Sequence, residues 1–252
     1  MKKVQKALLV LLRAGLWESR IEDLSCFPMS AGEWKNLYLL SRQQTVTGIV
    51  FQGIQHLPEH FLPAEELLVR WMAETDAIER KNMQMNKALE LLVQWFTESG
   101  VQPVLQKGQG IASLYENPLL RECGDIDFYF DSRQMFEKAF SLICQCGLRG
   151  KVQADQSVTY AWKGVEVEHH TCLLDLHNPF LQRYAKELEQ QYGYNHMRLE
   201  GGLDVRIPSP VLNLLLQSLH ILKHALGWGI GLRQLCDMAR SCYKLHDELE
   251  SE

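Results

Sequence analysis

The chain has 252 residues, 46% of them hydrophobic and 23% charged, with a formal net charge of -5. That length holds one large domain or two smaller ones with ample core. The mild acidity argues against a dedicated nucleic-acid binder, which carries a basic surplus, and no stretch approaches the roughly 20 apolar residues of a membrane span.

The opening "MKKVQKALLVLLRAGLW" sets lysines ahead of an apolar run, as a secretion signal does. Lys6 and Arg13 bracket only a short apolar stretch, however, and no small-residue cleavage site follows. Leu8, Leu9, Leu12 and Leu16 recur at helical spacing, which predicts an amphipathic helix. The seven cysteines are scattered, with no CxxC. They read as reduced thiols of a cytoplasmic protein, mostly core filler.

Three blocks follow from the patterning. Residues 1–100 read as a helical scaffold, whose stretch from Leu62 to Gly100 keeps three- and four-residue apolar steps and predicts a long helix or helix pair. Residues 101–207 switch period. "VQPVLQKG" predicts a short strand ending in a Gly turn, "IASLYEN" a helix stopped by Asn117-Pro118, and "CGDIDFYF" a second strand. Ser132 is placed to cap the helix that follows. "SVTYAWKG" and "GVEVEHHTCLL" predict strands turning at Gly164, and "RLEGGLDVRIP" a hairpin at Gly201-Gly202. Between them, His177-Asn178-Pro179 is expected to open a helix, with Asp175 close enough to cap it. Residues 208–252 return to helix around a Gly-rich break, and the chain stops soon after a helix, which leaves room for a further C-terminal part.

Within "LLRECGDIDFYF", Asp125 and Asp127 sit at i and i+2, so both point to one face of the predicted strand while Ile126 and Phe128 point to the other. Two carboxylates about 5 Å apart at an effective dielectric of about 20 repel by on the order of 3 kcal/mol. A shared proton, an arginine or a divalent cation could offset that cost, and a hard ion such as Mg²⁺ suits converging carboxylates and phosphate oxygens. In "GVEVEHH", Glu166, Glu168 and His170 share one face, so either glutamate could complete a three-carboxylate cluster of the kind that holds two metals for phosphoryl transfer. Upstream, Lys107 with Gly108 and Gly110 offers a positive charge and turn amides to a phosphate, and Arg121 could meet another phosphate oxygen. Taken singly these are also an ordinary strand end, an ordinary turn and an ordinary surface ion pair. Their order within one block favours the site.

"KGQGIASLYENPLLRECGDIDFYF" resembles the polymerase-β-type nucleotidyltransferase superfamily and, more narrowly, a bacterial family of uncharacterised nucleotidyltransferases. "VEVEHH" resembles that family's later acid-and-histidine strand, and "LLLQSLHILKHALGWGIGLRQLCDMARS" its helical region. The resemblance implies an α+β fold, a small mixed sheet flanked by N- and C-terminal helices. It implies Mg²⁺ on Asp125, Asp127 and Glu168 (Glu166 as alternative), two ions in all, with Mn²⁺ able to substitute. It also implies an NTP donor, ATP foremost, steadied by Lys107, Gly108, Gln109 and Arg121. The expected reaction moves a nucleoside monophosphate to an unidentified acceptor hydroxyl and releases pyrophosphate. Two departures stand out: Gly108-Gln109 replaces the superfamily's usual Gly-Ser, and the third acid is Glu rather than Asp. The first motivates an alternative, a non-catalytic nucleotide-sensing or partner-binding module on the same fold. A sugar-nucleotide glycosyltransferase using the DxD fits less well, because the chain lacks a long run of βαβ units.

His220, Lys223 and His224 share a helical face, and Arg233 and Asp237 are spaced i, i+4. They read as polar packing between helices or as a wall contacting nucleotide or acceptor. Trp71, Trp95, Trp162 and Trp228 read as core or interface aromatics, with Trp228 placed in "GWGIG" where it could stack on a base.

Overall fold

A computed structural model describes residues 2–176, 178–227 and 229–249. His177 and Trp228 lie outside the described residues. The fold is α+β, and the chain divides into two compact units.

The first unit comprises Met1–Asn82, Tyr115–Glu122 and Ile230–Cys236. Its helices are α1 (Lys3–Trp17), α2 (Ala31–Gln43), α3 (Thr47–Ile54) and the first part of α4 (Glu65–Glu98). Apolar repeats bury Leu11, Leu37, Ile49 and Trp71, and the Trp71 indole donates to the Thr47 carbonyl at 3.0 Å. A capping box starts α2: Ser30 Oγ accepts from the Glu33 amide, and Glu33 accepts from the Ser30 amide at 2.7 Å. Two glycines let α1 and α3 touch backbone to backbone. A Cβ on Gly15 would overlap the Ile49 carbonyl oxygen, and one on Gly53 the Leu11 carbonyl oxygen.

The second unit is built on one mixed sheet of seven strands, ordered β3-β4-β5-β2-β1-β7-β6. The strands are β1 (Val104–Gln106), β2 (Ile126–Tyr129), β3 (Lys151–Val152), β4 (Val158–Trp162), β5 (Val165–His170), β6 (Tyr194–Arg198) and β7 (Asp204–Pro208). β2 runs parallel to β5 and β1 parallel to β7; the other neighbours are antiparallel. One face carries Leu105, Ile126, Phe128 and Val167 against the later part of α4 and α6 (Arg133–Gln145). On the other face, Val104 and Tyr129 pack with α7 (Pro179–Tyr192) and α8 (Pro210–Gly227). The chain ends with α9 (Leu232–Lys244) and α10 (His246–Leu249).

The long apolar repeat forms one helix, and Ser132 caps α6 by accepting from the Met135 amide at 3.2 Å. Three local expectations need correction. The helix after β1, α5, is only Gly108–Ala112 rather than "IASLYEN", and Ser113 Oγ beyond it turns back onto the Gly110 carbonyl. Asn178, not Asp175, caps α7, accepting from the Phe180 and Leu181 amides, while Asp175 lies 3.6 Å from Lys223. All seven cysteines are free, yet Cys144, Cys146 and Cys242 are exposed rather than core filler. Among the described residues no helix is long and apolar enough to cross a membrane.

Candidate active site

The site lies on the α7/α8 side of the sheet. On β5 burial alternates as expected: Val165, Val167 and His169 are buried, Glu166 is exposed, and Glu168 and His170 are half-buried. The parallel register places Asp127 directly opposite Glu168. On its other side the antiparallel register places Gln106 opposite Asp127. Three strands therefore index one carboxylate from both sides.

Asp127 is 5% exposed. His170 Nε2 lies 2.7 Å from its Oδ1, and Lys107 Nζ lies 3.8 Å from its Oδ2. Burial alone would raise the Asp127 pKa, but the Lys107 charge and the His170 hydrogen bond outweigh it and hold the carboxylate well below its usual range. Asp125, just before β2, shifts the other way, to about 6, through burial first and the Asp127 charge second. The repulsion expected between the two aspartates thus falls unequally: Asp127 is held charged, while Asp125 takes up a proton already near pH 6.

Lys107 adopts φ 45° and ψ -134°, a conformation normally left to glycine, immediately before Gly108 with φ +35°. A side chain on Gly108 would press on the Asp125 carbonyl oxygen at 3.3 Å. The turn thus brings the Lys107 ammonium to Asp127 by bending the backbone closely around Asp125. The short α5 adds little dipole. Gln109, where the resemblance expects a serine, is buried, and neither end of its amide has a partner among the described residues.

Glu168 is held by the Ser157 hydroxyl, which donates to it at 2.5 Å, and Asp155 sits 2.8 Å from the same hydroxyl. His170 Nε2 is 3.8 Å from Glu168. Asp127, Glu168 and His170 offer ligand atoms within 4.8 Å of one another. Two carboxylates and an imidazole match a divalent cation of the Mg²⁺ to Mn²⁺ range, the nitrogen favouring the latter. Asp125 and Glu166 fall outside that trio but act electrostatically on one another.

Arg121 belongs to the first unit, buried, with its carbonyl taken by Asn82 Nδ2 at 2.8 Å. Arg233 likewise donates to the Glu122 carbonyl at 2.6 Å. His220 meets His224 edge to face, with ring centroids 4.4 Å apart, and is close enough to Asp127 to lower its pKa. His170 shares the acid face of β5 with Glu168, a parity legible in the sequence, and its contact with Asp127 comes only with strand pairing. Ser157, Asp155 and Gln106 carried no such signal, because only strand pairing brings them in.

The mixed sheet thus converges carboxylates, an imidazole and a lysine on one face. The chain belongs to a family of uncharacterised nucleotidyltransferases, whose sequence profile matches residues 30–252. No curated protein and no solved structure matches the chain.

Proposed function

We propose that this chain transfers a nucleoside monophosphate from an NTP, ATP being the expected donor, to an acceptor hydroxyl. The acceptor oxygen bonds to the α-phosphorus, the bond from that phosphorus to the bridging oxygen breaks, and pyrophosphate leaves with the electron pair. The observation that carries this reading is Asp127 lying directly across from Glu168, with Lys107 at 3.8 Å.

Asp125, Asp127 and Glu168 would hold two Mg²⁺ ions, with His170 beside them. When bound, the metal supplies positive charge to the phosphates and lowers the cost of the developing charge. Lys107, with the Gly108-Gln109 turn, steadies the triphosphate. Glu168, oriented by Ser157, takes the proton of the attacking hydroxyl.

The test is binding of Mg·ATP and release of pyrophosphate by the purified chain. We expect the Asp125→Ala/Asp127→Ala double variant to lose both. If wild type binds no nucleotide, or the variant binds as tightly as wild type, the reading fails. A second reading, nucleotide binding without turnover, draws on Gln109 standing where a serine is expected, its amide unpartnered among the described residues. Tight binding with no pyrophosphate release across a broad acceptor panel would favour it.

A further inference from the structure

Beside the carboxylates lies a cavity of about 480 Å³, within the usual range for a small-molecule site. Its polar lining includes Gln106, Lys107, Ser157 and His170. The Gln106 side chain is 1% exposed, and its amide nitrogen has no hydrogen-bond partner among the described residues. A buried donor of that kind costs free energy until something accepts from it. Much of the remaining lining is aliphatic: Leu173 and Leu216 are buried, Leu219 is half-buried, and Leu222 and Leu226 are left 54% and 81% exposed. Lys223 and Asp175, 3.6 Å apart, also line it.

The polar groups are unevenly drawn from the site. Ser157 and His170, both near Glu168, line the cavity, whereas Asp125 and the Gly108-Gln109 turn do not. The cavity thus flanks the side of the site where Ser157 and His170 meet Glu168, and it touches the triphosphate end only at Lys107.

Resting on the nucleotidyl-transfer reading, we propose that this cavity binds the acceptor, and that the acceptor is a small, largely apolar alcohol or phenol. Its hydroxyl lies among Gln106, Ser157 and His170, and its apolar body lies along the α8 leucines. On transfer, the hydroxyl oxygen bonds to the α-phosphorus, its proton passes to Glu168, and pyrophosphate departs. A sugar would leave most of its hydroxyls unmatched against leucine. A nucleic-acid end would set sugar hydroxyls and charged phosphates against the same leucines.

The probe is 2-naphthol, whose own fluorescence reports burial, titrated into the full chain; a fluorescent Mg·ATP analogue is titrated separately. We expect saturable naphthol binding, displaced by 1-decanol and untouched by glucose. Leu219→Asp should weaken it about tenfold or more by charging the wall, with the Mg·ATP analogue still bound. If that variant does not fold, Leu219→Trp, which fills the cavity and stays apolar, should weaken naphthol as well. Absence of saturable binding, equal affinity in the folded Leu219 variants, or displacement by adenosine, which would make this the base site, each overturns the proposal. Naphthol binding without Mg·ATP binding would keep the apolar site and sink nucleotidyl transfer; the reverse would sink the apolar acceptor alone.

Discussion

His169 gives the sharpest energetic test of the core beneath the site. Its side chain is fully buried among Phe96, Phe128, Phe130, Phe136 and Tyr160, with ring centroids 4.8 to 6.4 Å away. Nε2 meets the Tyr160 hydroxyl at 2.9 Å, and Nδ1 has no partner among the described residues. A second ring proton would therefore be buried unpaired. Burial, and then the neighbouring His170, push the His169 pKa down to about 3. The unfolded chain binds a proton near pH 6.5 that the folded chain refuses until about 3. Between those values the unfolded state holds more protons, so stability falls as pH drops, by about 1.4 kcal/mol per unit. From about pH 7 to about pH 5 this amounts to roughly 2 kcal/mol. His169→Gln keeps an acceptor for Tyr160 and removes the titration. Urea unfolding can be followed through the exciton signal of Trp95 and Trp162, which stack 5.4 Å apart against the same core. Wild type should lose about 2 kcal/mol more than the variant over that pH range. Parallel losses in the two proteins would refute the reasoning.

Three further outcomes are expected. Mn²⁺ added to the chain should give an electron paramagnetic resonance signal with nitrogen coupling from His170, abolished by Asp127→Asn and merely weakened by His170→Ala; a wild-type signal with no nitrogen coupling would remove His170 from the ligand set. Gly53→Ala should cost about 3 kcal/mol or more, because its methyl has only the Leu11 carbonyl to displace. Gly32→Ala, with nothing within 4 Å, should be neutral or slightly stabilising in the same melts. At position 107, Gly should be about 1–3 kcal/mol more stable than Ala, since only glycine accepts that backbone without strain. Both variants should lose Mg·ATP affinity, and equal stability of the pair would remove the strain from the argument.

Much of the fold could be read from periodicity. Leucines at helical steps gave α1 and α4, Gly164 gave the β4–β5 turn, and the Val-Glu alternation gave the two faces of β5. Local signals of this kind are written within a few residues of the feature they specify. The two-residue β3 has too little pattern to register, and α5 departs from the expected span where the Ser113 hydroxyl turns back onto the Gly110 carbonyl. For the site, side-chain parity foretold which residues share a face but not which meet. That Glu168 rather than Glu166 stands opposite Asp127 depends on a parallel pairing between strands separated by α6 and a hairpin, and no short stretch encodes it. The glycine-like backbone of Lys107 was equally invisible, since lysine gives no hint of it.

β5 serves two masters. The pleat that sinks His169 into the aromatic cage is the same pleat that lifts Glu168 and His170 to Asp127. A slip of one residue would exchange the two histidines, stranding a half-solvated imidazole in a greasy nest and burying Glu168 under helices. The cage thus works as a ratchet tooth, and selection for a well-packed interior and for correctly aimed chemistry act on a single choice of register. Variants that loosen the cage should lose the alignment of the carboxylates before they lose the fold.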